Sequence, residues 1–79
     1  MKSQKIIAKF SEEIEKASVS FWYVGEGDSI EKEQPLIEFV TEKTSFTYAS
    51  PVSGKIIRTF VNEGDEVISG QDIAEVEIQ

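Results

Sequence analysis

Residues 24–40 read VGEGDSIEKEQPLIEFV, and residues 61–77 read VNEGDEVISGQDIAEVE. Laid one above the other, the two stretches pair Val24 with Val61, Glu26 with Glu63, Gly27 with Gly64, Asp28 with Asp65, Gln34 with Gln71 and Glu38 with Glu75. Ile30 with Val67, Leu36 with Ile73 and Phe39 with Val76 keep their apolar character, and the match runs back to pair Val19 with Ile56 and Tyr23 with Phe60. The chain is one unit written twice, and such self-similarity speaks to architecture before any single residue does. Each copy reads as a strand, a Glu-Gly-Asp turn, a short strand, a loop and another strand. Gly27 and Gly64 supply the positive φ that a tight turn needs, and the Asp after each favours the turn. A β unit this small cannot cover its own apolar face. The two copies are expected to pack on one another about a pseudo-twofold axis.

Extended segments are expected at Lys5–Phe10, Ala17–Val24, Pro35–Val40, Thr44–Ala49, Lys55–Val61 and Ile73–Ile78, with short pieces near Ser29–Ile30 and Glu66–Ile68. Period-two alternation is visible in Ser45-Phe46-Thr47-Tyr48 and in Ile73-Ala74-Glu75-Val76-Glu77-Ile78. Residues 11–16, SEEIEK, have Ser11 as a possible helix cap but are too few to hold a helix alone, so a turn is expected there. Ala49-Ser50-Pro51-Val52-Ser53-Gly54 links the two copies. The expected fold class is all-β: a flattened barrel-sandwich hybrid of two four-stranded antiparallel sheets, with residues 1–79 forming a single domain.

The bulk properties narrow the function. A chain of 79 residues buries only about 60% of its unfolded surface, which leaves little room for a deep private active site. It has neither cysteine nor histidine. Disulfides, thiolate nucleophiles and Cys-based metal sites are excluded, and so is the side chain most used for proton transfer near neutral pH. The net charge of −7 opposes binding to nucleic acid and suits solubility or steering toward basic partners. No apolar run is long enough to span a membrane or to act as a signal peptide, so a cytoplasmic, monomeric domain is expected, either free-standing or part of a longer intracellular protein.

The strands Pro35–Val40 and Thr44–Ala49 are separated by Thr41-Glu42-Lys43, a hairpin-length gap. The position one repeat after Lys43 falls just past the last residue. Lys43 is therefore expected at one pole of the pseudosymmetric body, with the chain ends near the other. An exposed turn lysine is ordinarily a solubilising charge, and only its surroundings single it out.

Those surroundings resemble the lipoyl domains of 2-oxo acid dehydrogenase complexes. Trp22-Tyr23-Val24-Gly25-Glu26-Gly27-Asp28 is similar to the Trp-x-Val-x-Glu-Gly-Asp turn of that family. Leu36-Ile37-Glu38-Phe39-Val40-Thr41-Glu42-Lys43-Thr44 is similar to its Leu-x-Glu-Val-Glu-Thr-Asp-Lys-Ala strand and turn. Ser50-Pro51-Val52-Ser53-Gly54 matches the linker, and Val61-Asn62-Glu63-Gly64-Asp65 the second turn. Two departures stand out. Glu42 replaces the Asp before the modified lysine, which keeps the carboxylate but moves it out by one methylene. Phe10-Ser11-Glu12-Glu13-Ile14 takes the place of a Gly-Glu-Gly loop.

The resemblance implies a carrier domain and not an enzyme, although it can form part of a dihydrolipoyl acyltransferase. Lipoic acid would be amide-linked to Lys43, with Glu42 and Thr44 read by the modifying enzyme, a lipoate ligase or lipoyl transferase. The lipoyl arm would collect an acyl group and electrons at a 2-oxo acid dehydrogenase, pass the acyl group to coenzyme A at an acyltransferase, and be reoxidised by a dihydrolipoyl dehydrogenase. Related biotinyl domains flank their lysine as Met-Lys-Met. Here the neighbours are Glu42 and Thr44 and the only methionine is Met1, which favours lipoyl over biotin. The alternatives are an unmodified adaptor domain of the same fold and a biotin carrier. No metal is expected: the Glu12-Glu13-Glu15 run reads as solvated carboxylates. Lys32 and Lys55 are rival lysines, in a loop and at a strand start. Trp22, Phe21, Tyr23, Phe60, Phe46 and Tyr48 are expected mostly in packing.

Overall fold

Eight strands and no helix make up the computed structural model, which describes residues 2–78. They are β1 (Lys2–Ile7), β2 (Lys16–Trp22), β3 (Ser29–Ile30), β4 (Pro35–Val40), β5 (Ser45–Ala49), β6 (Gly54–Thr59), β7 (Glu66–Ile68) and β8 (Asp72–Ile78). Two four-stranded sheets result, ordered β1-β8-β6-β3 and β5-β4-β2-β7, with every pairing antiparallel. The expected sandwich is therefore the observed one, and residues 11–14 form a turn in which the Ile14 N–H donates to the Ser11 carbonyl at 2.9 Å, with Lys16 already in β2.

The repeat extends well beyond the identical residues. Advancing 37 positions carries β2, β3 and β4 onto β6, β7 and β8. The irregularity in β2 between Val19 and Phe21 recurs in β6 between Ile56 and Arg58. Gly27 and Gly64 have φ of 93° and 94°. In each turn the Asp carboxylate accepts from the backbone three residues earlier, Asp28 from Gly25 and Asp65 from Asn62, both at 2.8 Å. The glutamates of the two turns reach across the axis: Glu63 Oε2 accepts from the Trp22 N–H at 3.1 Å, and Glu26 Oε2 accepts from the Thr59 N–H at 3.0 Å. Each half thus terminates hydrogen bonds of the other.

The apolar faces meet between the sheets. Ile6, Ala8, Ala17, Val19, Ile30, Leu36, Ile37, Phe39, Ile56, Val61, Val67, Ile73, Ala74 and Val76 are buried together. Burial of such side chains contributes roughly 25 cal/mol per Å² of apolar surface, which is the main force holding two thin sheets together. Ser50 is the buried polar residue, and its hydroxyl bonds to the Val52 carbonyl.

Strand limits differ from the sequence expectation chiefly at the N-terminus, where β1 is Lys2–Ile7 and not Lys5–Phe10. Lys2, Ser3, Gln4 and Lys5 are exposed along a sheet edge, paired with Ile78, Glu77, Val76 and Glu75 of β8, so pairing and not burial makes them a strand. The chain leaves the sheet at Ala8, whose N–H and carbonyl bond to Gln71 and Gly70. Phe10 then packs edge-on against Phe39 and Phe46, with ring centroids 5.0 and 5.5 Å apart.

Candidate functional site

The strands β4 and β5 are joined by residues 41–44. The Val40 and Ser45 positions face one another as the last pair of the ladder. Beyond them the Thr41 N–H donates to the Thr44 carbonyl at 2.7 Å, so the loop proper is two residues, Glu42 and Lys43. The expected gap of Thr41-Glu42-Lys43 is one residue longer, since β5 starts at Ser45 instead of Thr44. Lys43 is exposed at the tip, and its side chain enters no ion pair or hydrogen bond among the described residues. An amine so placed is open to an incoming enzyme, which is the requirement for a carried group linked by an amide.

Glu42 and Thr44 flank it, both exposed. The Thr44 hydroxyl lies 3.4 Å from the Ser45 carbonyl, while the Glu42 carboxylate has no hydrogen-bond partner among the described residues and is free to meet another protein. The sequence gives no direct sign of the role of Thr41. Its Oγ1 accepts from the Thr44 N–H at 3.1 Å and the Lys43 N–H at 3.3 Å and donates to the Thr44 carbonyl at 3.2 Å.

A shallow groove runs beside the hairpin, between residues 40–44 and the 11–18 segment. It gathers Glu12, Glu13, Glu15, Glu42 and Glu66 around Lys16 and Lys43, so the surface around the tip is strongly acidic. Lys16 reaches Glu66 at 3.7 Å as a half-exposed pair of little energetic weight. No cluster of three potential metal ligands occurs among the described residues.

The rival lysines sit elsewhere. Lys32 is in the loop after β3, where its N–H bonds to Ser53 Oγ at 2.9 Å, and Lys55 lies within β6. The aromatic residues divide. Trp22, Phe46 and Tyr48 pack against the core, with Trp22 Nε1 donating to the Val61 carbonyl at 3.0 Å and the Tyr48 hydroxyl to the Ile7 carbonyl at 3.1 Å. Phe21, Tyr23 and Phe60 are exposed, so core packing holds for half of the six and not for most of them, and Phe21 and Tyr23 meet edge to face at 5.0 Å.

Lys2 and Ile78, the first and last described residues, lie at the pole away from Lys43. β1 runs from Lys2, paired with Ile78, to Ile7, and the segment that follows flanks the hairpin. Six extended residues separate the two poles by about 17 Å along that strand alone.

Comparison with known proteins agrees with this fold. The profile of the biotin/lipoyl family, described as biotin-requiring enzyme, matches residues 6–76. The chain is 32% identical over 76 residues to the dihydrolipoyllysine-residue succinyltransferase component of the 2-oxoglutarate dehydrogenase complex of Rickettsia conorii, covering 96% of this chain and 19% of that protein. It spans about a fifth of the length of the curated relatives it matches. Among solved structures, the lipoyl domain of the 2-oxoglutarate dehydrogenase complex from Azotobacter vinelandii superposes with a TM-score of 0.73 at 26% identity, covering 92% of this chain and 94% of that one. Kluyveromyces lactis urea carboxylase contains the same fold, with a TM-score of 0.80 at 18% identity over 98% of this chain and 6% of that one.

Proposed function

The chain belongs to the biotin/lipoyl family, and from that premise we propose that it is a lipoyl carrier domain with Lys43 as its attachment point. The observation that carries the proposal is the position of Lys43: alone at the tip of a two-residue loop, exposed, unpaired among the described residues, and remote from the paired Lys2 and Ile78. Lipoyl is preferred to biotin because Glu42 and Thr44, and not methionines, stand beside the lysine. Relatives that the chain matches are named as dihydrolipoyllysine-residue succinyltransferase and acetyltransferase components, which agrees.

Attachment joins the Lys43 Nζ to the carboxyl carbon of lipoate as an amide; the amine gives up a proton and the activating group on the carboxyl leaves. The product is uncharged at that position, so the acidic surface around the tip becomes more negative on modification. Once bound, the lipoyl group would supply a disulfide that takes up an acyl group with two electrons and hands them on. The part of this chain is to hold the arm on a rigid body and to offer the flanking Glu42, Thr44 and acidic groove to partner surfaces. Tethering raises the local concentration of the arm at each partner to about millimolar for a short flexible link. The partners proposed are a lipoate ligase or lipoyl transferase and the dehydrogenase, acyltransferase and dihydrolipoyl dehydrogenase components of a 2-oxo acid dehydrogenase complex.

Mass spectrometry of the domain after incubation with a lipoate ligase, lipoate and ATP tests the proposal. One lipoyl group on Lys43, lost in Lys43→Arg, is expected. An unmodified domain would leave the adaptor reading in its place, and a streptavidin-reactive band after co-expression with a biotin ligase would replace lipoyl by biotin.

A further inference from the structure

We infer that Thr41 is a positioning residue for attachment at Lys43, its hydroxyl closing the loop that presents the lysine. The inference rests on the lipoyl reading of Lys43 and extends it by one residue.

The loop is of an unfavoured kind. Two-residue connections between antiparallel strands prefer mirror-image turns, in which one or both central residues have positive φ and so are Gly, Asn or Asp. Their hand of twist matches that of the strands. Here the central residues are Glu42 and Lys43, and neither has positive φ. The backbone of such a loop tends to splay its strands. A Gly at the tip would remove the mismatch but would also remove the amine.

The hydroxyl of Thr41 compensates. The Thr44 N–H, which in a closed four-residue turn bonds to the carbonyl of the first residue, donates instead to Thr41 Oγ1 at 3.1 Å. The same oxygen accepts from the N–H of Lys43 itself at 3.3 Å and donates to the Thr44 carbonyl at 3.2 Å. One donated and two accepted bonds are the full capacity of a hydroxyl. All three converge on the backbone of Lys43 and its neighbour. The side chains of Glu42 and Lys43 contribute no hydrogen bond among the described residues. The branched Cβ of threonine adds stiffness at χ1, which holds the oxygen in place. The lysine is therefore offered to the modifying enzyme in one backbone arrangement and not in many.

Three chains decide the matter: the parent, Thr41→Val, which keeps the branched shape and removes the oxygen, and Thr41→Ser, which restores the oxygen. Urea unfolding first places each in its folded state. In the unmodified domain, amide exchange at Lys43 and Thr44 should quicken in the Val chain and return toward the parent in the Ser chain. With a lipoate ligase, lipoate and ATP, kcat/KM for the Val chain should fall about fivefold, the worth of one net hydrogen bond, mainly through KM, and the Ser chain should stay within about twofold of the parent. A Val chain modified as fast as the parent, unchanged exchange, or a Ser chain as slow as Val overturns the role of Thr41 alone. A parent that gains no lipoyl group overturns the attachment site and this role together.

Discussion

Glu33 and Gly70 hold the same place in the two halves of the domain, and both have a left-handed backbone, with φ of 73° and 91°. Each donates its N–H at 2.7 Å across to the neighbouring loop, Glu33 to the Ser50 carbonyl and Gly70 to the Ala8 carbonyl. Glycine adopts that conformation freely, whereas an L side chain there costs roughly 1–2 kcal/mol. Glu33→Gly should therefore stabilise the domain by up to about 1 kcal/mol, after the extra freedom glycine gives the unfolded chain is subtracted. Gly70→Ala should destabilise it by about as much. Thermal unfolding reads the pair as shifts of opposite sign, about 4–8 °C for each kcal/mol in a domain of this size. Shifts of the same sign would show that the strain is not where the φ angles put it.

Gly54 starts β6 where the other half has Ala17, yet the two are not interchangeable. A Cβ built on Gly54 would meet the Glu77 carbonyl oxygen and stand 2.7 Å from Val76 Cγ1, both in the paired strand. Backbone and a fully buried valine cannot give way cheaply. Gly54→Ala is expected to cost about 2–3 kcal/mol, as overpacking does, against about 1 kcal/mol or less for Ala17→Gly. Urea midpoints of the two variants beside the parent test the difference, and equal losses would contradict it.

Tyr48 makes the fold's stability depend on alkaline pH. Partial burial pushes its hydroxyl above the ordinary 10.0, and that hydroxyl donates to the Ile7 carbonyl at 3.1 Å. The folded chain thus holds this proton more tightly than the unfolded one. The stability it contributes is complete below about pH 10 and is lost as pH rises through the higher folded value. Tyr48→Phe should lower stability near neutral pH by about 1 kcal/mol and flatten the fall above pH 10. Denaturant unfolding at a series of pH values measures both, and a Phe variant with the same alkaline slope as the parent would exclude Tyr48 as its source.

The crossed glutamates predict additivity. Glu63 accepts from Trp22 and Glu26 from Thr59, with no shared partner. Each change to Ala should cost about 1 kcal/mol, and the double variant should cost their sum to within about 0.5 kcal/mol. A double variant much weaker than the sum would mean that the halves depend on one another through more than these two bonds.

The duplication and the sheet layout were legible because they are carried by side-chain identity and alternation, which the primary sequence displays. The Gly27 and Gly64 turns were legible for the same reason. Other features were not. Lys2, Ser3 and Gln4 lie outside the strand expected from the sequence, since an edge strand held by backbone pairing to β8 has no apolar stripe to betray it. Glu33 gives no sign of its left-handed backbone except by alignment with Gly70. Around Lys43 the flanking residues drew notice by resemblance, but the hydroxyl that closes the loop belongs to Thr41, an ordinary strand former whose role depends on where the two strands stop. Phe21, Tyr23 and Phe60 fall outside the packing expected for most of the aromatic residues and are half exposed.

The pairing of Lys2 with Ile78 has a mechanical consequence. Any sequence joined beyond Lys2 or Ile78 would depart from the pole opposite Lys43, so the folded body would act as a rigid spacer between it and a group carried at Lys43. The body measures 39 × 20 × 19 Å. Any attached chain, the domain and the arm proposed at Lys43 would add their reach in series, and a partner could engage the tip while that chain stays clear of its entrance.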